Sequence, residues 1–210
     1  MNKGSIIFIV TVCLTIGVCI WVNLPEFFFI SGKSYVMKSM QQSEVQTEIR
    51  ANITSYFGGS MRDFSLEELF QWENHYLSWA DEMPANRPTD PREILEMGMG
   101  KCQEYAYLFA SACVATGKNV KLMVCMKSDL SEGYHSWNEV FVNGSWVDVD
   151  SILSKVNSLS VYHGWDWWSS VGEGCFIYSF DLSGRCRDAT GDFICNYYVS
   201  IFLPSLIMFV

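Results

Sequence analysis

The pair Asn143-Gly144, set between two β-type runs, constrains this chain more than any other feature. Both residue types tolerate positive φ, so a two-residue turn there closes an antiparallel hairpin. The turn also sets the register: Val142 faces Ser145, Phe141 faces Trp146, Trp137 faces Asp150 and His135 faces Ile152. Side chains alternate between the faces of a sheet, so His135, Trp137, Trp146, Asp148 and Asp150 share one face. Asp150 is the diagonal neighbour of His135, about 7–8 Å away at Cα, and its carboxylate can reach the ring. Asp148 faces Glu139 two residues farther along and is expected to fall short, the two acids forming a solvated like-charge pair. Trp137 and Trp146 are expected to screen the His135–Asp150 pair from water.

The elements before the hairpin are mostly helical. Val36, Met40, Val45, Ile49 and Ile53 recur near every fourth residue and predict a helix over 35–57, broken at Gly58-Gly59-Ser60. Ser65-x-x-Glu68 is a capping-box pattern and predicts a helix running toward Met83-Pro84. Asp90-Pro91-Arg92-Glu93 starts a short helix that stops at Gly98. Gln103 to Thr116 reads as a buried helix capped by Gly117, and Val120 to Met126 as a strand. After the hairpin, Phe176 to Leu182 and Cys186 onward form a strand pair turning at Ser183-Gly184. Helices, a buried helix and then antiparallel strands make an α+β domain.

Charge avoids both ends of the 210 residues. Ile6 to Leu24 is nearly all apolar, and 19 residues of helix span roughly 28 Å, one hydrocarbon core. The run ends in bulky Ile20-Trp21-Val22 with no small-residue cleavage site, which favours an uncleaved anchor over a signal peptide. The expected organisation is a leader at 1–4, an anchor at 5–24, a juxtamembrane helical region at 25–64 and a folded domain at 65–193. An apolar segment at 194–210 is expected to be a second or truncated span. The short leader lacks acids and mildly favours an extracytoplasmic domain. With 14 basic and 23 acidic residues the net charge is −9, which repels a phosphate backbone and argues against nucleic acid. That charge also hints at neutral or basic substrates.

Cysteine chemistry needs a thiolate, a base within reach and a group that orients the base. Cys102 opens the buried helix behind Gly98 and Gly100. A helix N-terminus stabilises an anion by ~0.3–1 kcal/mol, up to ~2, too little to activate the thiol alone. An imidazole is therefore required. The chain has three histidines, His75, His135 and His163, and only His135 sits on the hairpin beside a carboxylate. His75 reads as solvated. His163, within Tyr162-His163-Gly164-Trp165-Asp166-Trp167-Trp168, reads as part of an aromatic lid or core. Cys113 and Cys125 read as buried packing residues, while Cys175, Cys186 and Cys195 offer a disulfide if the domain faces an oxidising side. No C-x-x-C or metal-ligand spacing occurs, so no metal and no cofactor is expected.

Gly100-x-Cys102-x-Glu104-Tyr105-Ala106, His135-x-Trp137-Asn138-Glu139-Val140 and Gly144-Ser145-Trp146-Val147-Asp148-Val149-Asp150 together resemble the transglutaminase-like superfamily, best across 90–150. Asp188-Ala189-Thr190 extends the likeness to about 193. The family usually places Pro after the Asp, where this chain has Ser151. The resemblance implies a papain-like core with a nucleophile-bearing helix on an antiparallel sheet. It implies a Cys102-His135-Asp150 triad that cleaves or exchanges a peptide or protein amide through a thioester. Trp72 matches the indole that holds the oxyanion in some members, with Trp79 and Gln103 as rivals. No acidic loop suits the calcium of animal transglutaminases. The alternative is a silent domain of the same fold that binds a peptide or partner at the membrane.

Overall fold

In the computed structural model, residues 28–59, 63–127, 133–152, 155–156 and 175–190 are described. Helix α1 covers 28–39. The chain then makes a turn at 40–42, and α2 (Ser43–Tyr56) begins after Gln42, whose extended backbone (φ −62°, ψ 132°) interrupts the helix. The single helix expected over 35–57 is therefore two, although Val36, Met40, Val45, Ile49 and Ile53 are all buried. One apolar stripe serves both pieces.

Helix α3 (Leu66–Tyr76) starts at the expected capping box: the Ser65 hydroxyl accepts from the Glu68 N–H, and Glu68 accepts from the Ser65 N–H. It stops at Tyr76 rather than near Met83. Leu77 is extended, its carbonyl accepts from the Tyr105 hydroxyl at 3.0 Å, and β1 (Ser78–Trp79) pairs in parallel with β2 (Met99–Gly100). Between those strands lies α4 (Pro91–Met97), capped by Asp90 and ended by Gly98 at φ 66°. This is the start and stop expected from its sequence.

Helix α5 (Cys102–Ala115) is the centre of the domain. It is buried nearly all round from Glu104 to Cys113, the pattern of a helix covered on every side. Helices α2, α3 and α4 pack on it from one direction and strands β3 (Val120–Lys127) and β4 (Gly133–Val142) from the other. The Phe70 and Phe109 rings stack at 4.8 Å in that core. Each fully buried large side chain contributes about 1.5–3 kcal/mol relative to exposure. Because α1 and α2 share this same cluster, the packed core reaches well upstream of residue 65.

The sheet order is β6-β5-β4-β3-β7-β8, every pair antiparallel, with β5 at Ser145–Asp150, β6 at Lys155–Val156, β7 at Cys175–Phe180 and β8 at Cys186–Asp188. Asn143 and Gly144 both have positive φ (51° and 87°), and the ladder runs from Val142–Ser145 to Asn138–Val149, the register read from the turn. Leu122, Val124, Val140 and Val149 face α5, while Met123, Cys125, Trp137 and Ile177 are buried on the opposite face. Among the described residues no helix is long and apolar enough to cross a membrane. The runs at 5–24 and 194–210, together with His163 and Cys195, lie outside the described residues.

Candidate active site

Cys102 is the first residue of α5, where backbone N–H groups have no intrahelical acceptor. Gly100 makes the approach possible: a Cβ there would come within 2.5 Å of the Glu104 Cβ. With that space open, the Glu104 carboxylate folds back to accept the Lys101 N–H at 3.0 Å.

Strand β4 runs past its last rung with β5 toward the start of α5. The Cys102 thiol there lies close enough to the His135 ring and the Ser136 backbone N–H for both to favour its thiolate. His135 Nε2 lies 2.8 Å from Asp150 Oδ2, and Asp150 Oδ1 accepts from the Ile152 N–H at 3.1 Å, which holds the carboxylate in place. A carboxylate only accepts, so Nε2 carries the hydrogen and Nδ1 is left to serve the thiol. Asp150 is 1% exposed. The structure thus joins His135 to Asp150 and sets the Cys102 thiol within electrostatic reach of His135.

The electrostatics favour an ion pair. Burial works to raise the Cys102 thiol, but the His135 hydrogen bond and charge, the Ser136 N–H and the Arg87 guanidinium outweigh it and hold the thiol below its ordinary value. Burial likewise opposes a charged imidazole, yet the hydrogen bonds and charges of Asp150 and Cys102 raise His135 to about 9. Both shifts favour the thiolate–imidazolium form over the neutral pair.

The tryptophans divide. Trp137 is 1% exposed and stacks on His135 at 5.9 Å, so it does cover the ring, while its indole N–H donates to Asp148 at 3.0 Å. Trp146 is 42% exposed against Phe141, under the Lys121 ammonium at 3.7 Å, and screens nothing. Trp72 is fully buried and its N–H donates to Asn52 at 2.8 Å, so that donor is already engaged inside the core. Trp79, its rival, is half exposed at the end of β1. His75 is exposed and Cys113 and Cys125 are buried, as expected.

The acids beside the pair differ from the solvated arrangement expected of them. Glu139 is paired with Lys121 at 2.7 Å, and Asp148 is buried and held by Trp137. Burial, with the Glu139 charge, raises Asp148 to about 6 against the pull of Trp137 and Lys121. Its folded value lies above its unfolded one, so its ionisation costs stability fully above pH 6 and not at all below about 3.8. Asp148→Asn keeps an acceptor for Trp137 and removes the charge. It is expected to stabilise the fold by about 1–2 kcal/mol at pH 7 and by nothing at pH 3.5, read from urea midpoints.

Four charged residues of the site, Glu104, Arg87, Lys33 and Glu73, had no role read from the sequence. Glu104 is fully buried and gripped by Arg87 through Nε at 2.8 Å and Nη2 at 2.5 Å. Lys33, on α1, donates to Gln103 Oε1 at 2.5 Å and to the Tyr107 hydroxyl at 2.6 Å. Burial, aided by the Arg87 charge, lowers its ammonium to about 8. Glu73, on α3, is also fully buried, and burial pushes its carboxyl well above the usual range despite the nearby Ser151 hydroxyl and Phe109 N–H. The Asp150 charge pushes it in the same direction. A pairing across 70 residues, as for Lys33 and Gln103, leaves no local pattern to read.

No group of His, Cys, Asp and Glu suited to a metal ion occurs among the described residues. No curated protein matches the chain. Among solved structures, the crystal structure of a putative protease from Parabacteroides distasonis is similar, with a TM-score of 0.48 and 13% identity. The likeness covers 76% of this chain and 30% of that one, so the chain spans under a third of that protein's length. The family model of the transglutaminase-like superfamily matches residues 53–151, from the end of α2 through the hairpin and across Cys102, His135 and Asp150. That segment, just under half of the chain, is similar to the transglutaminase-like superfamily.

Proposed function

We propose that this domain is a thiol enzyme acting on amide bonds, with Cys102 as nucleophile, His135 as acid and base and Asp150 as the group that orients His135. The observation that carries this reading is the His135 ring bonded to a buried Asp150 carboxylate, with the Cys102 thiol within electrostatic reach of that ring. A domain that only held a peptide would have no need of a lowered thiol at a helix N-terminus facing a raised imidazole.

The chemistry follows from the positions. The Cys102 thiolate attacks an amide carbonyl and forms a C–S bond, and the oxygen takes the electron pair. The unpaired Cys102 backbone N–H is the donor best placed to hold that oxyanion. The His135 imidazolium gives its Nδ1 proton to the departing amine as the C–N bond breaks, which leaves a thioester and a neutral ring. Water, or a second amine, then attacks the thioester while His135 takes its proton, and the thiol leaves. Water gives hydrolysis and an amine gives transamidation. Trp137 covers one side of the ring and strengthens each charge interaction by excluding solvent.

The reading also places the domain next to a membrane, on the apolar run at 5–24, with a peptide or protein amide as substrate. The test is product formation from a panel of peptide amides, followed by mass spectrometry, with and without an added amine. Cys102→Ala should lose all turnover and all trapped acyl-enzyme. Turnover that survives Cys102→Ala unchanged would sink the assignment.

A further inference from the structure

Two cations near the nucleophile are tied to residues in the first two turns of α5. Lys33 holds Gln103 and Tyr107, and Arg87 holds Glu104, whose other contact is the Lys101 N–H. Each cation is in electrostatic reach of Cys102, and each repels the other. Apart from the His135–Asp150 pair, two cations stand against the one Glu104 carboxylate beside Cys102, on a chain whose total is −9. Arg87 grips Glu104 with Nε and Nη2, which leaves the Nη1 donors outside that pair on a side chain that is 34% exposed. Lys33 uses two of the three hydrogens on its ammonium.

We propose that Arg87 and Lys33 form a specificity subsite beside Cys102 that takes a carboxylate of the substrate, carried next to the amide that Cys102 attacks. The inference rests on the reading of Cys102 as nucleophile. It reverses the expectation drawn from net charge, because charges within a few ångströms of a bound group outweigh distant solvent-screened ones. A guanidinium edge suits a carboxylate in a fork, and a desolvated ammonium adds a point charge. The substrates would be amides adjacent to an acidic side chain or a free carboxylate.

Two reagents of nearly the same size read this directly. Iodoacetate carries a carboxylate and iodoacetamide does not, and both alkylate a thiolate. The ratio of their rates at Cys102, relative to the same ratio for glutathione, is expected to be about tenfold in favour of iodoacetate at low salt. It should fall at least threefold in Lys33→Met, whose side chain suits the Phe29 and Tyr107 rings around it. It should fall similarly in Arg87→Gln/Glu104→Gln, which removes the guanidinium without orphaning a buried carboxylate. Peptide amides with Glu beside the scissile bond should show a lower KM than their Gln counterparts, a difference that shrinks in Lys33→Met. A wild-type ratio equal to that of glutathione overturns the subsite. So does a raised ratio that neither variant lowers, since His135 and the helix terminus would then account for it. Failure of the nucleophile reading looks different: Cys102 would titrate with iodoacetamide as an ordinary thiol.

Discussion

Arg87→Ala is expected to cost the fold about 2–4 kcal/mol, the largest loss for any single polar side chain outside the triad. Glu104 is fully buried, while the Arg87 side chain is 34% exposed. Removal of the guanidinium leaves the carboxylate with the Lys101 N–H as its remaining hydrogen-bond donor. The partial exposure of Arg87 places the cost below the upper end for a wholly buried pair. Adding Glu104→Gln should recover most of the loss, because the orphaned charge rather than the missing attraction is responsible. Urea midpoints at constant m-value measure both variants. A single variant within about 0.5 kcal/mol of wild type would mean that the pair does not support the start of α5.

The second large effect concerns His135. Asp150→Asn preserves an acceptor for the Nε2 hydrogen and removes the negative charge that helps raise His135 to about 9. The sign is definite: without that anion the imidazolium is less favoured, so the folded value moves down toward 6.5. The acylation step needs imidazolium to protonate the leaving amine, so kcat/KM should show an alkaline limb near pH 9 in the wild type. In Asp150→Asn that limb should move down by one to two units, and the rate at pH 8 should fall by about two- to tenfold through that shift. An alkaline limb that stays near 9 would assign it to another group.

The parts of the molecule that were legible in the sequence are those that short-range chemistry decides. The Ser65–Glu68 box, the Asp90 cap with Gly98 after it, and the Asn143-Gly144 turn each lie within a few residues of what they determine. The hairpin register followed from a two-residue turn, and with it the approach of His135 to Asp150. What was not legible depends on distant partners. The extent of α3 was misread because β1 finds β2 and Leu77 finds Tyr105, contacts that span about 20 residues or more. Trp146 was placed on the correct face but beyond the buried part of it, because parity says nothing about how far cover extends along a strand. Trp72 matched an indole donor by position, yet the partly buried Asn52 claims its N–H. Lys33 lay in a segment read as juxtamembrane, and no spacing rule links it to Gln103.

The central claim is an imidazole-activated thiolate at Cys102, and the rate of its alkylation by iodoacetamide between pH 4 and 9 tests that claim most directly. The purified chain and His135→Ala are measured side by side. A free thiol near pKa 8.5 is roughly 0.3% ionised at pH 6, so loss of the imidazole should slow labelling there by about a hundredfold. The account predicts labelling that persists well below pH 8 in the wild type and collapses in His135→Ala. A single titration near 8.5 that the substitution leaves unchanged would contradict it.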